Sequence, residues 1–299
     1  MKLLDYHVIV PSKSTTVTLF PFSCVHKDND GHSASAWREF LAEVKATPHG
    51  YAIGLGDYYD WLRTHAREYL RLYPHDGDSF NSLDRYRMEQ AEKFAEELAP
   101  IKGQLIGLAL GNHHHQFQDG TNDTQAMCRL LKVPYLEKAS FIRLYISEKN
   151  RSAHAMLKML VHHGDGVGGG GSTAGGDVNT LHKKSSDFQF DILMLAHNHR
   201  KWGDKQPLLT VTDRGKAKLV EKQIAYIRAG CFMRGYVEGC ITYAERKLMK
   251  PTDIGHVRLD IVFRTTYDAE KHQANKILSA SPKQHNHGDN LRWSFKVTY

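Results

Sequence analysis

The chain has 299 residues, of which 41% are hydrophobic and 24% are charged. These values exclude a disordered or fibrous protein, and the length allows one large domain or two small ones. Lys and Arg number 40 against 33 Asp and Glu, and the formal net charge of +7 favours phosphate-rich, anionic partners. No run approaches the roughly 20 apolar residues of a membrane-spanning helix. Four widely spaced cysteines and the lack of a secretory signal pattern predict a cytoplasmic protein with reduced thiols.

Short apolar segments alternate with segments whose apolar residues recur every three or four positions, which predicts an α/β protein. The predicted strands are residues 6–10, 17–22, 51–55, 105–110, 142–146, 155–161, 192–196, 208–212, 257–264 and 293–299. The predicted helices are residues 34–46, 61–72, 82–98, 124–131 and 179–186. The later part is richer in strands, which favours a mixed sheet or sandwich.

Two segments differ from the rest in composition. Residues 164–176 are dense in glycine, which predicts either a mobile flap or a surface loop. Residues 273–290 are polar and are expected to be loose. Neither has the character of a linker between domains, so a single domain over residues 1–299 is predicted, with its motif-bearing core at about residues 15–266.

Five predicted strands end in short turns whose side chains can bind metal ions. These turns are Cys24-Val25-His26, Gly56-Asp57-Tyr58-Tyr59-Asp60, Gly111-Asn112-His113, His162-His163-Gly164 and His197-Asn198-His199. Loops that follow the carboxyl ends of strands converge at one edge of an α/β sheet. A rigid sheet can therefore hold several ligands at fixed positions, as a dinuclear metal centre requires.

The order C-x-H, G-D-x-x-D, G-N-H, H-G and H-x-H resembles the calcineurin-like metallophosphoesterase superfamily. The usual pattern of that family is D-x-H, G-D-x-x-D, G-N-H-[DE], H and G-H-x-H, and the resemblance runs from Cys24 to His199. It implies a four-layered α/β sandwich of two mixed β-sheets flanked by helices. It also implies a phosphate-ester hydrolase in which a hydroxide bridging two divalent metal ions (zinc, iron or manganese) attacks phosphorus.

The resemblance also implies a set of seven metal ligands: Cys24, His26, Asp57, Asn112, His163, His197 and His199. In this set Asp57 would bridge the two ions. Cys24, His26 and His199 would complete one site, and Asn112, His163 and His197 would complete the other. The assignment of His163 rather than His162 as the ligand depends on the resemblance of the H-G-D sequence, and both histidines remain candidates.

Four further residues are predicted to act beside the ligands. By the same resemblance His113 would contact the substrate and stabilise or protonate the leaving oxygen, while Asp60 and His114 would orient neighbouring groups. Arg200 follows the H-x-H motif directly and is placed to contact phosphate oxygens. Arg228, in a late turn, is a further candidate to reach the site, although a solvated surface position would explain it equally well.

Two positions depart from the family pattern. Cys24 stands where an aspartate is usual, and three interpretations are open. It could be a thiolate ligand that favours zinc or iron over manganese, a buried packing residue beside a weak site, or a position for which Asp28 or Asp30 substitutes. His114 stands where an acid usually orients the catalytic histidine, so the control of the His113 tautomer is left unexplained.

The substrate is predicted less directly than the site. Tyr58, Tyr59, Trp61 and Phe117 lie next to the ligand motifs, where they could either stack on a nucleotide base or pack in the core. With the net positive charge, they favour a phosphodiesterase or nuclease acting on nucleotides or nucleic acid. The alternatives are a small-molecule phosphomonoesterase and an inactive scaffold that binds a nucleic-acid or phosphorylated partner.

Overall fold

The computed structural model describes residues 1–60, 77–164, 176–211, 217, 219–246, 248, 250–251, 253–265 and 291–299. The strands within these residues are β1 Lys2–Val10, β2 Val17–Phe22, β3 Gly50–Gly54, β4 Leu105–Leu108, β5 Ala139–Glu148, β6 Ala155–His162, β7 Ile192–Leu195, β8 Lys201–Val211, β9 Leu219–Cys231, β10 Gly255–His256, β11 Arg258–Thr265 and β12 Leu291–Thr298. The helices are α1 Ala34–Ala46, α2 Gly77–Leu98, α3 Asp123–Leu131, α4 Gly176–Ser185 and α5 Tyr243–Arg246, with a 3₁₀ segment at Ala99–Gln104. None of the helices in the described part of the chain is long and apolar enough to cross a membrane.

The described strands form two mixed sheets. The first has the order β12-β11-β2-β3-β4, in which β2, β3 and β4 are parallel and β11 and β12 are antiparallel to their neighbours. The second has the order β1-β5-β6-β7-β9-β10, with β8 paired to β9 as an antiparallel ribbon. Strands β6, β7 and β9 are parallel, so each sheet has a parallel centre whose carboxyl ends can carry functional turns.

Three apolar clusters define the layers of the molecule. The largest lies between the two sheets and takes residues from both, such as Ile53 and Met194. The second joins the outer face of the first sheet to α1, α2 and α3, where Phe22, Trp37 and Phe94 are fully buried. The third packs α4 on the outer face of the second sheet. Each large buried side chain stabilises the fold by roughly 1.5–3 kcal/mol relative to an exposed one, and together the clusters make a four-layered α/β sandwich, as predicted.

Most predicted elements are present, and the errors have identifiable causes. Strand β9 was not predicted, because its first half is a mixed polar and apolar segment that is stabilised by pairing with β8 rather than by burial. Strand β8 begins at Lys201 and not at Leu208 for the same reason. Strands β3, β4 and β7 end one or two residues before the predicted positions, where the chain enters the motif turns.

Three predicted features lie outside the described residues. They are the helix over residues 61–72, nearly all of the glycine-dense segment of residues 164–176, and the polar segment of residues 273–290. The single-domain organisation stays a prediction.

Candidate metal centre

The five ligand-bearing turns come together at the carboxyl ends of the parallel strands. The turn after β2 is tied to the turn after β3, because the amides of Cys24 and Val25 donate to the carbonyls of Gly56 and Asp57 at 3.0 and 2.9 Å. The two sheets are joined at the same place, where Nδ1 of His163 lies 2.6 Å from the carbonyl oxygen of Leu55. The sheets therefore hold all five turns around one small volume.

The backbone at the candidate ligands adopts an uncommon conformation. Five of them have left-handed backbone angles, with φ of 50°, 45°, 56°, 71° and 58° at Cys24, His26, Asp57, His197 and His199. Such angles disfavour residues with a Cβ atom by roughly 1–2 kcal/mol each, so the surrounding hydrogen bonds must impose them. Strain of this kind is concentrated at functional sites, and here it aims the side chains into the shared volume.

The two motif glycines allow the turns after β3 and β4 to approach closely. Gly56 has a φ of 99°, and a Cβ atom there would overlap the backbone of Gly111. A Cβ atom on Gly111 would in turn overlap Oδ1 and the amide nitrogen of Asp57. This contact lets the amide of His113 donate to Oδ1 of Asp57 at 2.8 Å, which orients the carboxylate.

One group of donors, the His163 cluster, consists of Asp57, Asn112, His163 and His197. Nε2 of His163 lies 3.0 Å from Oδ2 of Asp57 and 2.8 Å from Oδ1 of Asn112, and Nδ1 of His197 lies 3.0 Å from the same amide oxygen. Because the Leu55 carbonyl can only accept, Nδ1 of His163 carries a proton. Nε2 of the same ring faces the two oxygens, and a cation placed among these three atoms would contact all of them.

The second group, the His26 cluster, consists of Cys24, His26 and His199, whose ligand atoms lie within 4.8 Å of one another. Nε2 of His26 and Nε2 of His199 face each other at 3.3 Å. Nδ1 of the buried His26 has no hydrogen bond within the described residues and lies 3.6 Å from a carboxylate oxygen of Asp60. Burial and the neighbouring His26 lower the pKa of His199 to about 3, so this ring is neutral and its lone pair is available for a cation.

Both clusters fit divalent metal ions. Ligand atoms about 2.1 Å from a tetrahedral zinc ion lie about 3.4 Å from one another, close to the separations of 2.8–3.3 Å observed here. The Asp57 carboxylate keeps its charge: burial opposes ionisation, but the neighbouring His163, His26 and His113 hold its pKa well below the usual range. Nitrogen, oxygen and sulfur donors of this kind are ones that bind divalent metal ions.

Cys24, and neither nearby aspartate, lies with the histidine pair of the His26 cluster. Asp28 and Asp30 are exposed, and Oδ1 of Asp28 accepts a hydrogen bond of 2.5 Å from the amide of Asp60. Cys24 is fully buried, and burial together with the charge of Asp57 raises the pKa of its thiol well above the usual value. A bound cation offsets that cost, since a coordinating thiol is deprotonated. Its role as a ligand stays a prediction.

His113 is oriented by Asp60. Nδ1 of His113 lies 2.7 Å from Oδ1 of Asp60 and 3.0 Å from its carbonyl oxygen, while the other carboxylate oxygen accepts from Asn29 at 2.9 Å. Burial disfavours a charged His113, but this hydrogen bond and the charge of Asp57 outweigh it, and the pKa of His113 is raised. Asp60 thus provides the carboxylate that position 114 lacks. Sequence reasoning missed Asn29, whose contact comes from a turn that no motif marks.

The remaining predicted site residues occupy distinct positions. His163, and not His162, faces Asp57, because Nδ1 of His162 accepts from the amide of Gly164 at 2.7 Å. Nδ1 of His114 lies 3.1 Å from the carbonyl of Gly111, within its own turn. Arg200 is half-buried directly after His199, and its contact with phosphate stays a prediction.

Two hypotheses about neighbouring side chains are wrong. Tyr58, Tyr59 and Phe117 are at most 7% exposed, so they pack in the core and cannot stack on a base. The hydroxyl of Tyr58 donates to the Ala109 carbonyl and that of Tyr59 to the Gln90 carbonyl, at 2.9 and 2.7 Å. Trp61 lies outside the described residues. Arg228 is fully buried beneath the H-x-H turn, so a solvated surface position is excluded.

A scan against models of known protein families finds no match to this chain, and a search of curated proteins finds none either. Among solved structures, Vps29 from Chaetomium thermophilum is similar over 94% of this chain and 96% of its own, at 10% identity and a TM-score of 0.33. A Streptococcus pneumoniae protein described as a predicted phosphoesterase is similar over 83% of each chain, at 12% identity and a TM-score of 0.32. A Staphylococcus aureus protein assigned as a 5′-nucleotidase is similar over 95% of this chain and 54% of its own, at 12% identity and a TM-score of 0.40.

At these TM-scores the likeness assigns no activity to this chain. The fold and the site of this chain define a class of architecture: a four-layered α/β sandwich with adjoining groups of side chains that could hold metal ions at its sheet ends. This is the arrangement that the resemblance to the calcineurin-like metallophosphoesterases predicts.

Proposed function

We propose that this chain is a metal-dependent hydrolase of phosphate esters with two divalent metal positions, one in each cluster. The observation that carries the proposal is the setting of His163. Its proton is held on Nδ1 by a backbone carbonyl, and its Nε2 faces a carboxylate and an amide oxygen. A cation at this point satisfies all three groups, and the His26 cluster offers a second position beside it.

The side chains have separable tasks in this reaction. Divalent cations bound in the clusters would supply Lewis acidity, lowering the pKa of water and stabilising charge on phosphate oxygens. The His113 amide donates to Oδ1 of Asp57, so Oδ2 of the same carboxylate faces Nε2 of His163. His113 is 19% exposed and held by Asp60, so it can donate a proton to a leaving oxygen. Arg200 is the candidate for contact with the phosphate.

We further propose that the substrate is a phosphodiester of a nucleotide or nucleic acid. The net charge of +7 supports this choice, since it favours polyanionic ligands. Base stacking by the aromatic residues near the motifs does not support it, because Tyr58, Tyr59 and Phe117 are buried. A small-molecule phosphomonoesterase would cleave p-nitrophenyl phosphate faster than bis-p-nitrophenyl phosphate. It would also show no salt-dependent binding to DNA, whereas an enzyme that neutralises backbone phosphates must show it.

The first test is the metal content of protein purified without a histidine tag. We expect about two equivalents of zinc or iron per chain, reduced in Asp57→Asn. Hydrolysis of a dinucleotide phosphodiester, whose alkoxide leaving group needs a proton, should fall by at least about 100-fold in His113→Ala, the range for loss of a general acid, while metal content stays unchanged. A chain that takes up no metal on reconstitution, or a His113→Ala variant with full activity, would show that the proposed site is wrong.

The inactive-scaffold alternative makes the opposite prediction, which is no hydrolysis with any added metal. The sequence features that favour it are the two departures from the family pattern, Cys24 and His114. The pairing of Asp60 with His113 weakens the second of these arguments, because a carboxylate from the turn after β3 contacts His113 in place of one at position 114.

A further inference from the structure

A buried arginine lies beneath the turn that carries the last two candidate ligands. Arg228 is fully buried on β9, opposite Leu195 at the end of β7. Its Nη1 donates to the carbonyl of Ala196 at 3.1 Å. Ala196 is the residue immediately before His197, so this bond reaches the backbone of the His163 cluster directly.

The backbone of Ala196 connects the two histidines of that cluster. Its amide donates to the carbonyl of His163 at 2.9 Å, and its carbonyl also accepts from the amide of Asn198 at 2.9 Å. Movement of this peptide would therefore displace His163 and His197 together. His197 has a φ of 71°, a conformation that persists only when surrounding bonds impose it.

The position of Arg228 lies on a face of the sheet that is mainly apolar. The outer face of the second sheet is otherwise apolar here, where Leu160, Leu193 and Tyr226 pack with α4. Burying a guanidinium is costly, and an apolar side chain of similar volume would fill the same space. The parallel pairing of β7 with β9 ends at Leu195 and Arg228, one residue before Ala196. The arginine side chain therefore supplies a donor just beyond the end of that ladder.

We infer that Arg228 is a positioning residue that holds the Ala196 peptide and thereby sets the metal affinity of the His163 cluster. This inference rests on the proposed function. Loss of a residue that orients metal ligands through one further contact costs about 10- to 100-fold in metal affinity. The effect should be larger at the His163 cluster, because His163 and His197 are both held by the backbone of Ala196, whereas the His26 cluster draws only His199 from this turn.

The test is competition for zinc against a chromophoric chelator, which gives a dissociation constant for each of the two equivalents. Cys24→Ser identifies the step that belongs to the His26 cluster. Arg228→Met should weaken the other step by about 10- to 100-fold. Arg228→Lys should weaken the same step to a smaller extent. Lysine keeps an N–H donor, but its shorter side chain reaches the Ala196 carbonyl poorly. Arg87→Met, which removes a buried arginine from α2, is the matched control and should leave both constants within about twofold of wild type.

Thermal unfolding in the presence of chelator distinguishes a role of Arg228 in positioning the ligands from a role in folding. If Arg228→Met lowers the melting temperature and weakens both zinc steps equally, the residue is structural and the inference fails. If Arg228→Met does not fold, Arg228→Lys decides, and wild-type affinity at both steps in either folded variant overturns the inference. A wild-type chain that binds no zinc overturns the proposed function as well, whereas two zinc ions with unaffected Arg228 variants overturn only the role of Arg228.

Discussion

Replacing Asp60 by asparagine removes the carboxylate that lies 2.7 Å from Nδ1 of His113 while preserving the shape of the side chain. Asparagine can still accept a hydrogen bond from the ring, so the principal change is the loss of negative charge. If Asp60 orients His113 and stabilises its protonated form, catalysis should weaken while the metal ions stay bound.

The magnitude follows from the geometry. A hydrogen bond to a charged group contributes about 1.5–3 kcal/mol and one between neutral groups about 0.5–1.5 kcal/mol. The two ranges differ by about 1–1.5 kcal/mol. The Asp60 side chain is 30% exposed, which partly screens its charge, so the difference is taken as about 1 kcal/mol. At 1.36 kcal/mol per factor of ten, kcat should fall by about fivefold.

The assay is steady-state hydrolysis of a dinucleotide phosphodiester, whose alkoxide leaving group needs a proton, with metal content measured on the same samples. The expected result is a lower kcat with KM and metal content unchanged. Asp84→Asn is the matched control, because Oδ1 of Asp84 lies 2.6 Å from Nε2 of His115 in a second Asp–His pair. It should leave kcat within about twofold of wild type. An unchanged kcat in Asp60→Asn would refute the reasoning, and so would loss of metal, which would make Asp60 a ligand shared with His26 and His113.

Three other substitutions test separate features of the structure. Gly111→Ala should reduce bound metal and activity, because the new Cβ atom overlaps Asp57, whereas Gly103→Ala, with no atom within 4 Å of the added carbon, should change neither. His197→Gly should be more stable than His197→Ala by about 1 kcal/mol in the free energy of unfolding, measured in urea, because glycine accepts the φ of 71°; equal stabilities would show that the turn carries no strain. Tyr58→Phe should lose about 1–3 kcal/mol of stability, since a buried carbonyl is left without its donor, while kcat stays unchanged; a large fall in kcat with full stability would restore a role in substrate binding.

The positions of the strands and the ligand types at their ends could be predicted because both are local properties. A run such as residues 51–55 is apolar and β-prone, and Gly56-Asp57 follows it directly, so the turn and its carboxylate are visible in the chain itself. The five turns converge because parallel strands place their carboxyl ends together. The prediction failed for β9, whose pairing with β8 stabilises a segment that has no clear period of its own.

The α/β class, the order of the ligand-bearing turns and the types of donor that they offer could therefore be predicted from the residues, and the four layers were implied by the family resemblance. The three-dimensional packing was needed to show that His163 and not His162 faces Asp57, that Asp60 pairs with His113, and that Tyr58 is buried. Each of those outcomes depends on which turns the two sheets bring within about 3 Å of one another, the range of a hydrogen bond. That distance is set by strand order, register and close glycine contacts between segments far apart in the chain. A linear pattern of residue types contains no direct information on strand order, register or these contacts.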